Sequence, residues 1–124
     1  MNETLKVLES RRSCRNFKPD MVKEDELKAI IKAGTYAATG MGKQSPIIIA
    51  VKDKEMRDRL SEENRKIGGI HRAKEEFESD FGKAILEKLG ITDEYEGIGY
   101  CALGYAAEAA KDPAPRKENY VYEI

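Results

Sequence analysis

Apolar positions along this chain follow the helical period in most stretches and run continuously in two. Leu5, Val7 and Leu8 stand among polar residues, with Asn2 ahead of them as a candidate N-cap. The pattern predicts a short amphipathic helix over residues 3 to 12. After Pro19, the run Lys23-Glu24-Asp25-Glu26 opens a second helix, in which Leu27, Ile30, Ile31 and Gly34 keep the helical spacing. Acids in its first turn suit the helix dipole. A third helix starts at Asp53, turns Met56, Leu60 and Ile67 inward, and stops at Gly68-Gly69. From His71 to Leu89 the pattern is helical again, in two pieces, with Ser79 as the second N-cap. Phe77, Phe81, Ile85 and Leu89 mark its inner stripe, and Gly90 ends it.

The two continuous runs read differently. Ile47-Ile48-Ile49-Ala50-Val51 is apolar and β-branched, which predicts a strand buried on both faces. Gly97 to Ala106 reads as a second buried strand, whose glycines admit a close backbone or ligand. The tail from Asp112 to Ile124 supplies a third at most. A strand buried on both faces needs neighbours, because its backbone groups must pair. The expected sheet is therefore short of members. No internal repeat or low-complexity linker divides the chain, so residues 1–124 read as a single domain with a modest core.

Charge narrows the classes. Lys and Arg number 22 against 23 Asp and Glu. That balance argues against a general nucleic-acid binder, whose affinity rests on a basic excess. No stretch approaches the roughly 20 apolar residues that span a bilayer. The N-terminus lacks the apolar core of a signal peptide. A cytoplasmic protein with neither nucleic-acid nor membrane partners is expected. Cys14 and Cys101 lack metal spacing and read as free thiols, although an even count leaves a disulfide open.

The densest chemistry is Arg11-Arg12-Ser13-Cys14-Arg15-Asn16-Phe17-Lys18, where no acid interrupts the bases. Arginine presents planar forked donors that suit phosphate. The plainer alternative is a solvated turn, since bases at a helix C-terminus are favoured by the dipole. The loop Thr39-Gly40-Met41-Gly42-Lys43-Gln44-Ser45-Pro46 lets backbone N–H groups approach a flat polar ring, or simply joins helix to strand. Neither Gly40-x-Gly42 nor Gly97-x-Gly99 is a dinucleotide fingerprint: the first precedes a strand and the second lies within one. His71 is the only histidine, without companions for a metal site or a triad. Glu62-Glu63 and Glu75-Glu76 read as solvated helix faces. Arg116-Lys117 either caps an anion or keeps the tail soluble. No nucleophile stands beside a base, so no catalytic side chain and no metal site are assigned.

Taken in order, these features resemble the FMN-dependent nitroreductase family. The resemblance lies in Arg11-Arg12-Ser13-Cys14-Arg15-Asn16-Phe17, similar to the family's Arg-Arg-Ser-x-Arg-x-Phe opening. It continues in Ala37 to Pro46, similar to its small-residue loop ending in Gln-Pro-Trp or a variant. Glu96 to Tyr105 and Pro115-Arg116-Lys117 complete it. The resemblance implies an α/β (α+β) three-layer fold, with a reduced mixed sheet flanked by helices. It implies that Arg11, Arg12, Ser13 and Arg15 bind the phosphate, ribityl chain and pyrimidine edge of FMN, with Arg116 closing on the phosphate. Ala38, Thr39 and Gln44 match the loop that reaches the flavin from the other subunit of a homodimer. Ser45-Pro46 departs from the usual Pro-Trp. Ile70, His71 and Arg72 fall where the family places main-chain donors near the flavin N5 and O4.

The implied reaction is ping-pong. NADH or NADPH reduces FMN by hydride transfer, and the flavin reduces a small-molecule acceptor such as a nitroaromatic or quinone. The resemblance also implies a central segment, absent between Gly69 and Ile70, that supplies two core strands and the long dimer helix. Hence the alternative of a truncated, non-catalytic flavin binder or structural or interaction module; a third reading, a small phosphate- or nucleic-acid-binding module, rests on the arginine cluster alone, and the near-neutral net charge argues against it.

Overall fold

The computed structural model describes all residues, 1–124. Its helices are α1 (Glu3–Ser10), α2 (Glu24–Thr35), α3 (Lys54–Ile67), α4 (Arg72–Glu78) and α5 (Asp80–Lys88), with one 3-10 turn at Gly40–Gly42. Local chemistry explains their ends. Asn2 Oδ1 accepts from Leu5 N at 2.9 Å, and Asp53 Oδ2 accepts from Met56 N at 2.8 Å. Each satisfies an orphan donor of the first turn. Ser79 Oγ accepts from Gly82 N at 3.3 Å and divides α4 from α5. Gly68 closes α3 with φ 65°, a left-handed value that glycine adopts without steric cost.

The expected sheet does not form, and this corrects the α/β assignment. The chain is helical, and its single β contact is an isolated antiparallel bridge between Phe17 and Ala106. Residues 47–51 run without turn, bend or ladder, and Ile47 and Ile48 are exposed. The reason is supply. A strand interior is stable only when neighbours take its N–H and C=O groups, and no further strand exists here to take them. Of the second run, 97–106, Ala106 alone pairs, in that bridge, and the rest joins no ladder.

The first unit holds Met1–Ile30 and Leu103–Ile124. Around the bridge, Lys18 N donates to Tyr105 O at 2.8 Å and Ala107 N to Asn16 O at 2.9 Å. The Tyr105 hydroxyl donates to Glu26 Oε2 and accepts from Lys23 N, so the C-terminal segment is tied to the start of α2. The Phe17 ring lies against Gly104, where a Cβ would press on it.

The second unit holds Ile31–Ala102. In it α4 packs against both α3 and α5. Its buried residues are Leu60, Ala73, Glu76 and Gly82. The expected stripe is shallower than the periodicity suggests: Phe77, Phe81 and Ile85 are half-buried and Leu89 is exposed. Arg59 covers part of it, its guanidinium 4.8 Å from the centre of the Phe81 ring.

Candidate functional site

The basic segment follows α1 directly. Arg11 N donates to Val7 O at 2.9 Å and closes the helix. Arg12 turns back, and its Nη1 donates to Glu9 O at 3.0 Å and to Arg11 O. Here the plainer alternative is realised in part, since Arg12 satisfies carbonyls at a helix C-terminus. Its Nε remains buried without a partner. Arg11, Ser13 and Arg15 are exposed, as is Arg116 in the same unit. None of these four arginines forms a salt bridge. The unit thus carries exposed guanidinium forks and an orphan guanidinium N–H, with no carboxylate opposite them. That donor set fits a phosphate.

The small-residue loop lies in the second unit. Thr39 Oγ1 accepts from Gln44 N at 3.0 Å, and Gly42 N donates to Thr39 O at 3.0 Å. Three of its residues are left-handed: Met41 at φ 56°, Gly42 at 64° and Gln44 at 51°. Such values are sterically costly for non-glycine residues and need local support, which the Thr39 hydroxyl gives to Gln44. Thr39 is half-buried, while Ala38 and Gln44 are exposed.

Ile70, His71 and Arg72 form one wall of a groove of about 280 Å³ in the same unit. Lys74, Glu96, Gly97, Ile98 and Tyr100 line the rest. Gly97 is required there, because a Cβ would strike the Ala73 carbonyl oxygen. Lys74 Nζ meets Glu96 Oε1 at 3.1 Å, and that hydrogen bond is the main reason its pKa is raised. Arg72 has no ion pair. Ile70 and Ile98 leave 93% and 90% of their surfaces exposed beside it. Ala38, Thr39 and Gln44 do not line this groove.

One residue was missed from sequence. Glu75 is exposed as expected, but Glu76 is 0% exposed and neither carboxylate oxygen has a hydrogen-bond partner. Burial pushes its pKa up; Tyr100 and Asn64 oppose this, and the Glu63 charge adds to it. Burial, followed by the Glu76 charge, also pushes the Tyr100 phenol upward. The signal was present: Ala73, Glu76 and Phe77 share the i, i+3, i+4 spacing of one helix face.

Residues 8–94 match the nitroreductase family, and the chain belongs to that family. A curated relative, the FMN reductase (NAD(P)H) of Bacillus subtilis (strain 168), is 36% identical over 62 residues, covering 50% of this chain. The matched stretch spans 25% of that relative's length. No solved structure matches the chain.

Proposed function

We propose that this chain is an FMN-dependent oxidoreductase of nitroreductase type. Membership of the family, and the likeness to an FMN reductase, support the flavin reading. The observation that carries it is the set of exposed, unpaired arginines after α1, which lack any internal anion. In this reading Arg11, Ser13, Arg15 and Arg116 hold the FMN phosphate. Arg12 orients the cofactor with the guanidinium donors it does not spend on backbone carbonyls. Ala38, Thr39 and Gln44 contribute a loop whose shape is preset by the Thr39 hydroxyl. Main-chain groups of Ile70, His71 and Arg72 face the ring's polar edge. Bound FMN supplies the redox chemistry, between NADH or NADPH and a nitroaromatic or quinone-like acceptor. The chain's residues bind and orient it, and none is asked to move a proton. A cytoplasmic homodimer completes the reading.

FMN titration of the purified protein, followed by NADH and NADPH oxidation with a nitroaromatic or quinone, tests this. Saturable binding with acceptor-dependent oxidation is expected. Binding without oxidation leaves the second reading, a non-catalytic flavin binder, which is favoured by the absence of a sheet. Absence of both overturns the proposal.

A further inference from the structure

The groove between residues 69–74 and 96–100 has side-chain chemistry that the flavin reading leaves unassigned. Its charges do not balance. Lys74 Nζ meets Glu96 Oε1 at 3.1 Å and Glu78 Oε1 at 4.0 Å, so the lysine and the acid of the groove cancel. No other acid lines it, and the Arg72 side chain is left as a cation without a partner. The opposite wall adds donors of a second kind. Residues 97–99 belong to no helix or ladder, and their N–H groups donate to no backbone carbonyl. Around these donors the lining is apolar. Ile70 and Ile98, one on each wall, are almost wholly exposed, and Tyr100 leaves 51% of its surface open. A tyrosine ring offers a flat face for offset stacking. The volume of about 280 Å³ lies just below the usual range for ligand sites, so the occupant is small.

We propose that this groove takes small aromatic anions, with Arg72 as the residue that selects for a carboxylate on the ring. A guanidinium fork matches a carboxylate in shape as well as charge. The ring itself gains contact with the two isoleucines and Tyr100. An uncharged ring of the same size keeps those contacts but leaves the guanidinium to water. A cationic ring meets Arg72 as a like charge. The groove is open to solvent, so the preference is modest and is screened by salt. The proposal deepens the flavin reading by naming the class of acceptor, and it rests on that reading only for what becomes of the bound molecule.

The test compares para-nitrobenzoate with para-nitrobenzamide, which share a ring and a nitro group and differ in charge. Binding to the purified full chain is followed by titration calorimetry and by amide chemical shifts, with no reductant present. The carboxylate should bind about five-fold more tightly than the amide, the upper end for a solvent-exposed ion pair. Raised salt should shrink that ratio, and the shifts should gather at residues 97–100. Arg72→Gln should bring the two affinities together, and Ile98→Ala should weaken both ligands alike. Where Arg72→Gln fails to fold, the salt dependence of the wild-type ratio decides. Equal affinities in the wild type, no binding of either ligand, or a ratio indifferent to salt or to Arg72→Gln would overturn the proposal. So would shifts gathered at Arg11 to Arg15, or undiminished binding by Ile98→Ala. An FMN titration alongside separates the two readings. Carboxylate preference in a chain that binds no FMN overturns the flavin reading and supports the groove as a site for aromatic anions. Equal affinities in a chain that binds FMN overturn the groove proposal alone.

Discussion

At the scale of single residues, the arginines after α1 divide by what already holds them. Arg12 is occupied with α1 carbonyls, whereas Arg11 and Arg15 are exposed without an acid partner. Arg15→Ala should weaken FMN binding by about 1.5–3 kcal/mol, the range for hydrogen bonds to charged groups. Fluorescence titration of FMN reads this directly, and an unchanged affinity removes Arg15 from the site. Arg12→Ala should lower thermal stability as well, because α1 loses its capping donor. Glu76 makes a prediction about acidity. Its pKa is raised in the folded state, so the native chain holds this proton more tightly than the unfolded chain. Stability from this group is then fully present below the unfolded glutamate value and is lost as pH rises through the folded one. Above that window, Glu76→Gln should melt at a higher temperature than the wild type, and below it the two should converge. Parallel melting curves across pH test the sign.

At the scale of elements, the junction of α4 and α5 depends on one glycine. A Cβ at Gly82 would strike the Glu76 carbonyl and the Phe77 backbone. Backbone cannot yield as a flexible side chain does, so Gly82→Ala should destabilise by about 1–3 kcal/mol, the usual cost of overpacking. Denaturant titration measures it, and a neutral result would mean that α5 can pivot away from α4. Asp53→Ala removes the N-cap of α3 and should cost about 0.5–2 kcal/mol. These elements were legible because their signals are local. Asn2, Asp53, Ser79 and Gly90 each act within one turn, and a cap reads the same whatever surrounds it. The strands were not, because pairing belongs to two segments at once. Ile47–Val51 has the composition of a core strand but lacks the neighbours that would make it one. The candidate site was partly legible for the same reason. The arginine run is contiguous, whereas the groove wall joins residues 69–74 to residues 96–100. The burial of Glu76 depended on which face α4 turned to α3.

At the scale of the whole molecule, the small number of buried residues sets the expectation. Leu60 and Ala73 are the buried hydrophobic residues, and the Tyr120-Val121-Tyr122 end of the chain is exposed. A chain with so little apolar interior gains from association, so a homodimer is expected at micromolar concentration. Light scattering tests it, and a monomer that binds FMN would show that one chain builds a whole site. No helix is long and apolar enough to cross a membrane, so this surface is not that of a spanning helix. The unladdered run at 47–51 has a further consequence, for handling and storage. A β-branched segment without backbone partners is the raw material of cross-β fibrils. Lys43, Pro46 and Lys52 flank it, and charges and proline at such borders act as gatekeepers. Added salt screens the lysines and leaves the isoleucines untouched. Thioflavin fluorescence on prolonged incubation should therefore rise faster at high ionic strength, and Ile48→Lys should suppress it.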